Sequence, residues 1–258
     1  MNDHPGLPNG NEPSLVAQAR RILEQAAAGG VDVRLLGGIA IWLRAAEQTR
    51  QTLGRQYADI DLATTKKHAK GLRGVLEQLD YVPDKMFNAT QGATRLFYHS
   101  ADGSYHLDIF VDKFVMSHEF SLGERLDTEP DTLPAAELLL TKLQIAELNQ
   151  KDASDTAMLL ADHELAETDG IGLLNVRRVS ALCAESWGLY TTVTDNLQAT
   201  RSLLPNILSD EQLRDKVDQR IEALVSELEI APKSGGWRRR ARIGRRMRWY
   251  QTPDEATR

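Results

Sequence analysis

The chain has almost no cysteine: among 258 residues there is one, Cys183. A single thiol builds neither an internal disulfide nor a thiolate metal cage, so "SALCAESW" reads as a helix that places this sulfur in a core. Long apolar runs are also missing. Nothing approaches the roughly 18 consecutive apolar residues that a membrane-crossing helix needs. The opening "MNDHPGLPNGNEP" lacks the basic-then-apolar order of a secretory signal, and a cytoplasmic location with no membrane partner is the expectation. No GxSxG, HExxH, Rossmann glycine fingerprint or P-loop occurs, so hydrolase, zinc-protease and dehydrogenase chemistry gain no support.

What is present is enough apolar residue, 41%, to bury a real core. The charge is unevenly spread. Residues 233–250, "KSGGWRRRARIGRRMRWY", hold one Lys, seven Arg and no acid, which leaves the rest of the chain near −14 against a total of −6. Such a contrast marks either a nucleic-acid contact or a tail lying on its own acidic body. Arg238, Arg242, Arg245 and Arg246 would form one stripe if this segment is helical, with Trp237, Trp249 and Tyr250 available to stack on bases.

After a polar leader, 1–13, the apolar spacing predicts a helix over 14–28, stopped by Gly29 and Gly30. "VDVRLLGG" then reads as a strand running into glycines, "IAIWLRAAEQT" as a helix, "ADIDLAT" as a second strand and "KHAKGLRGVLEQLDY" as a helix. "TRLFYHS" and "YHLDIFVDKF" predict two strands joined at Asp102 and Gly103. From Pro134 onward strand signals stop and helical periodicity takes over, with Ser209 and Gln212 as a capping box for the last long helix. The expected fold class is α+β: a mixed sheet with flanking helices over 1–133, a helical domain over 134–232, and an Arg-rich tail over 233–258. "DEATR" at the end reads as unstructured.

Asp59 and Asp61 stand two apart in a strand and so project from one face, while Ile60 and Leu62 take the other. Two carboxylates on one face suit a hard divalent cation. Asp108 in "HLDIF" would join them if its strand is a neighbour. Alone, such a pair is equally an exposed edge of solvated charge. Gly37 and Gly38 sit at a strand-to-helix turn, where backbone amides approach a phosphate closely, although glycines also occupy such turns for packing alone.

Taken together, Leu36-Gly37-Gly38, Ala58-Asp59-Ile60-Asp61-Leu62 and Leu107-Asp108-Ile109 resemble the h-G-[GS], D-h-[DE]-h and later h-[DE]-h pattern of the polymerase-beta-like nucleotidyltransferase superfamily. "LLLTKLQIAELNQKDASDTAMLL" resembles the Lys…Lys-Asp-x-x-Asp segment of the AbiEii/AbiGii-type toxin nucleotidyltransferases, through Lys142, Lys151, Asp152 and Asp155. Arg55 fits the same family's R-x-T-x-D-h-D, with Tyr57 in place of the Thr. The resemblance covers residues 33–160 and implies transfer of a nucleoside monophosphate from a nucleoside triphosphate, with release of pyrophosphate.

It also implies roles. Asp59, Asp61 and Asp108 would hold Mg²⁺ or Mn²⁺, with Asp108 helping to deprotonate the acceptor. Gly37, Gly38, Arg55, Lys142, Lys151, Asp152 and Asp155 would serve the nucleotide. The acceptor would be tRNA, a protein or a small molecule such as an aminoglycoside, and the toxin branch would bring an antitoxin as partner.

Two alternatives stay open: a nucleotide- or RNA-binding module of the same fold without transfer, and a helical adaptor that leaves the aspartates unexplained. Lys142 and Lys151 are nine apart, about 180° around one continuous helix, so both reach one cleft only if that helix breaks. Asp152 and Asp155 share a face, as surface acids or as holders of a lysine. Asp112 reads as strand-end surface charge, and His99 and His106 as sheet surface residues with His106 next to a pocket.

Overall fold

The computed structural model describes residues 14–253; the leader 1–13 and "DEATR" lie outside them. Helix α1 (Ser14–Ala28) buries Val16, Ala19, Ile22 and Ala26 on one face. It ends where Gly30 takes φ +65° and the Val31 amide bonds back to Ala26 at 2.8 Å. Strand β1 (Val33–Leu36) feeds α2 (Gly37–Arg44), and a short α3 (Glu47–Leu53) follows where one helix is expected. Ala45 and Ala46 are extended and divide the two.

Next come β2 (Asp59–Thr64), α4 (Lys66–Gln78), β3 (Val82–Pro83), α5 (Lys85–Gln91), β4 (Arg95–His99) and β5 (His106–Val111). The β4–β5 hairpin turns at Asp102, whose carboxylate accepts from the Ser104 amide, and at Gly103, with φ +70°. A small hairpin, β6 (Lys113–Val115) with β7 (Glu119–Ser121), closes this half.

The five-stranded sheet runs β1-β2-β5-β4-β3 and is mixed: β2 and β5 are parallel, the other pairs antiparallel. Alternation sorts its faces. Ile60, Leu62, Leu96, Leu107 and Ile109 are fully buried on one side, while Asp59, Asp61, Arg95, Phe97, His106 and Asp108 share the other. The open edge of β1 is covered by residues 131–133, through Leu35 to Asp131 and Leu133 to Leu35 bonds, both at 2.9 Å.

The helical part has α6 (Ala135–Leu143), α7 (Gln150–Asp162), α8 (Val176–Glu185), α9 (Trp187–Ile207), α10 (Glu211–Ile230) and α11 (Gly235–Ile243). It also has a short parallel pair, β8 (Glu164–Ala166) with β9 (Leu173–Asn175), where no strand is expected. These segments of three residues each are too short for period-two patterning to declare them. Helix α10 is capped by Asp210, whose side chain accepts from Leu213, rather than by Ser209 and Gln212. Cys183 is buried in α8, as expected. One contiguous buried cluster joins the sheet, α1, α2, α6, α7 and the later helices. Among the described residues, no helix is long and apolar enough to cross a membrane.

The tail docks on this body. Trp237 packs edge-on against Tyr190 at 5.4 Å, Trp249 donates to Thr192 at 3.0 Å, and Arg245 pairs with Asp195 at 2.7 Å. The single arginine stripe is not formed, because α11 stops at Ile243 and Gly244 turns the chain with φ +60°.

Two buried histidines are held neutral. His163 contacts the Leu159 carbonyl through Nδ1 at 3.0 Å and accepts from Arg44 Nε at 3.2 Å, while His118 Nε2 meets the Thr192 hydroxyl at 2.8 Å. Burial pushes both down to about 4, with Arg44 adding to the effect at His163. The unfolded chain therefore takes up these protons first, and stability present above about pH 6.5 is lost as pH falls toward 4. Each histidine accounts for a loss on the order of 3 kcal/mol. Urea unfolding near pH 7 and near pH 5 is expected to show this decline, and His163→Gln to show a smaller one.

Candidate active site

The β2–β5 register places Asp61 directly beside Asp108 and Asp59 beside His106. On the other flank Leu36 stands opposite Asp61, so the β1–α2 turn lies against the same carboxylate. Gly37 has φ +67°, and a Cβ there would lie 1.8 Å from Asp61 Oδ2. A Cβ on Gly38 would lie 2.6 Å from Arg55 Nη2 and 2.8 Å from the Tyr57 ring. Both glycines thus make room for site side chains. Sequence spacing alone did not assign them that task.

The carboxylates divide two cavities. The smaller, about 250 Å³, is lined by Asp59, Asp61, Arg95, Asp108, Phe110, Phe114, Gln144 and Pro253. The larger, about 600 Å³, is lined by Gly38, Arg55, Asp59, Asp61, Ser104, His106, Lys142, Asn149, Lys151 and Asp152. Lys142 borders both. Lys151 joins it in the larger cavity because the chain leaves helix between Leu143 and Gln150, which removes the 180° opposition expected of a continuous helix.

Asp155, fully buried, holds Lys142 at 2.8 Å and accepts from Nε and Nη2 of Arg55 at 3.1 and 2.8 Å. Asp152 adds a second contact to Lys142 at 3.1 Å and is itself placed by the Asn149 cap. Burial opposes ionisation of both partners. It is outweighed: Asp155 and Asp152 raise the pKa of Lys142, and Lys142 with Arg55 lowers that of Asp155. The acid pair therefore fixes two cations at the cleft wall. Arg55 also lies over the Tyr57 ring at 4.5 Å, and burial raises the pKa of that phenol.

Asp61 is the opposite case. Burial first, then Asp59 and Asp108, push its carboxyl well above the usual range, against the pull of Lys142 and Arg95. Asp59 is more open, with His106 Nε2 at 3.9 Å. Asp108 borders the smaller cavity with both oxygens already engaged: Arg95 clamps it through two hydrogen bonds, Nε to Oδ1 at 2.7 Å and Nη2 to Oδ2. Among the described residues no group of three His, Cys, Asp or Glu stands close enough to hold a metal. The expected three-carboxylate centre is thus a pair, Asp59 and Asp61, with a third acid tied to an arginine.

That donor set fits a hard divalent cation arriving with a phosphate ligand. Mg²⁺ commonly takes one or two carboxylates and completes its shell from substrate phosphates and water. Four carboxylates and four cationic side chains line the two cavities, with Asp155 a fifth acid beneath, so little net positive charge is available for a polyanion.

Arg95, Phe97 and His106 were not singled out as a unit in the sequence. Phe97 and His106 stack at 4.8 Å, and Arg95 lies near the Phe87 and Phe110 rings at 5.5 and 5.3 Å. The signal was present in the hairpin: with the turn at Asp102-Gly103, alternation brings Arg95, Phe97 and His99 to the face of His106 and Asp108. Asp112 is not on a strand face. It follows β5 with φ +61° and accepts from the Lys66 amide at 3.0 Å, which caps α4.

No family model and no curated protein matches this sequence. Among solved structures it is similar to the antibiotic-resistance factor ANT(2'')-Ia at 15% identity and a TM-score of 0.34, over 89% of this chain and 93% of that one. It is also similar to a STING-associated CdnE c-di-GMP synthase from Capnocytophaga granulosa at 14% identity and a TM-score of 0.29, over 86% and 84% of the two chains. Likenesses this distant assign neither a family nor an activity.

Gly37→Ala is expected to cost about 1–3 kcal/mol from the left-handed backbone alone and to displace Asp61, read as a lowered unfolding midpoint. Arg95→Gln leaves Asp108 as an unpaired, nearly buried charge, and a loss of about 3–5 kcal/mol is expected. Millimolar Mn²⁺ should restore part of the stability lost in Arg95→Gln, measured by thermal unfolding with and without the ion.

Proposed function

We propose that this protein transfers a nucleoside monophosphate from a nucleoside triphosphate to an acceptor hydroxyl. One observation carries this reading: Asp59 and Asp61 on β2 stand at the junction of two cavities, with Asp108 on the adjoining parallel strand lining the smaller one and the Gly37 turn pressed against Asp61.

Asp59 and Asp61 would hold Mg²⁺ or Mn²⁺, with Asp108 joining them once parted from Arg95; bound there, the cation would neutralise phosphate oxygens during in-line displacement. The triphosphate occupies the larger cavity, where Lys142, Lys151 and Arg55 donate to its oxygens, a bound cation would offset most of its charge, and the first amides of α2 lie close by. Asp152 and Asp155 keep Lys142 and Arg55 in place. The acceptor hydroxyl, on RNA, a protein or a small molecule such as an aminoglycoside, enters from the smaller cavity. Its oxygen forms the bond to the α-phosphorus, pyrophosphate leaves with the broken α–β bond, and Asp108 takes the hydroxyl proton. A supply of nucleoside triphosphates, as in the cytoplasm, is what this reading requires. A toxin role, with an antitoxin as partner, draws support only from the sequence resemblance around Lys142, Lys151, Asp152 and Asp155.

A second reading, nucleotide binding without transfer, is favoured by the Arg95–Asp108 ion pair, which occupies the acid that transfer requires. The two are separated by incubating the protein with each α-labelled nucleoside triphosphate, Mg²⁺ or Mn²⁺, and total RNA, lysate or aminoglycosides. Transfer predicts a labelled acceptor with the native chain and at least about 100-fold less with Asp59→Asn or Asp61→Asn. Label transfer that persists unchanged in the double variant removes the transfer reading. Tight nucleotide binding with no labelled acceptor selects the second.

A further inference from the structure

The docked tail turns its aromatic residues inward and its arginines outward. Trp237 and Trp249 pack on α9, and Arg240 lies over Trp187 at 4.7 Å while bonding the Gly244 and Met247 carbonyls. Arg238, Arg239, Arg242 and Arg246 are exposed, and their side chains make no hydrogen bond or ion pair among the described residues. Arg238 and Arg242 are four apart on α11, so they repel across one helix face. A cluster of guanidinium groups without ion-pair partners among the described residues, on an otherwise acidic chain, is unfavourable alone and complementary to a polyanion.

Two further observations select which polyanion. The charged groups are almost all Arg, whose planar fork matches phosphate oxygens and stacks on bases. The chain beyond them leads to the cleft: the Gln251 amide bonds Ser117 at 2.9 Å, and Pro253 lines the smaller cavity beside Asp108. The seven steps of chain from Arg246 to Pro253 span at most about 25 Å, within the length of a short bound strand. Of the large apolar side chains, only Ile243 and Met247 are exposed on this segment, too few to enter a bilayer.

We propose that the exposed arginines Arg238, Arg239, Arg242 and Arg246 bind the phosphate backbone of a single-stranded nucleic acid, and that this strand carries the acceptor hydroxyl into the smaller cavity. The second clause rests on the transfer reading. The binding does not.

The test uses fluorescence anisotropy with a labelled single-stranded RNA of about 20 nucleotides and the full chain carrying Asp59→Asn, so that turnover does not enter. Binding is expected to weaken with salt. A triple Arg238→Ala, Arg242→Ala, Arg246→Ala variant should bind at least about 10-fold more weakly, with a log–log salt slope flatter by about 2, near 0.7 per arginine. The corresponding triple Lys variant should keep the slope, which separates charge loss from misfolding. Single-stranded DNA of equal length should give the same slope. In the native chain the triple Ala variant should raise KM for the RNA acceptor and leave kcat unchanged.

No RNA binding at low salt, or equal binding by the triple Ala variant, overturns the proposal. Stronger binding to phosphatidylserine vesicles than to RNA overturns it in favour of a membrane. Strand binding together with transfer only to a protein or small molecule overturns its second clause.

Discussion

Like charges at one level of a sheet are the constraint around which this cleft is built. Parallel pairing of β2 with β5 brings Asp61 beside Asp108, and two-residue spacing adds Asp59. Each neighbouring feature answers that repulsion. Gly37 gives up its side chain so that Asp61 fits, and Arg95 bonds Asp108 through two of its nitrogens. Lys142 lies close enough to act on Asp61 while its ammonium is bonded elsewhere, to Asp152 and Asp155. The Asp59–Asp61 pair is only partly balanced, by His106 at 3.9 Å and by the more distant Lys142 and Arg95, which is why a divalent cation suits it.

The same ion network joins the two halves of the chain. Arg55 comes just before β2 and Asp155 comes from α7, so their bidentate contact ties the sheet to the helical part at the cleft wall. Breaking one partner of so buried a pair strands the other charge, so the network fixes position more surely than it adds stability. Its second member, Lys142, belongs to α6, and the non-helical residues before α7 bring Lys151 round to the same cavity. One cleft wall is thereby assembled from three separate segments.

The tail obeys a different economy of contacts. Tryptophans supply the burial that holds α11 and the following turn to α8 and α9, and the arginines between them are left at the surface. Docking on the acidic body, one of two readings open in the sequence, is what the structure shows for Arg245 and Asp195. It does not absorb the remaining positive charge, and the chain continues from there to the rim of the smaller cavity.

Much of this was legible from local pattern. Helix α1, the β2 aspartate pair, the β4–β5 hairpin and the helical character after Pro134 follow from periodicity and turn residues, which are properties of neighbours in the chain. So was the position of Asp59 and Asp61 on one face, since alternation is exact once a strand is assigned; that Asp108 joins them depended on β5 pairing with β2 in this register. Other facts depended on residues far apart in sequence. That Arg95 claims Asp108, that Gly37 yields to Asp61, that Asp155 binds Arg55 a hundred positions earlier, and that Pro253 reaches the cleft are long-range placements. Local propensity carries no information about them. Strand order, register and helix packing decided these contacts, because only they determine which distant charges share a low-dielectric space.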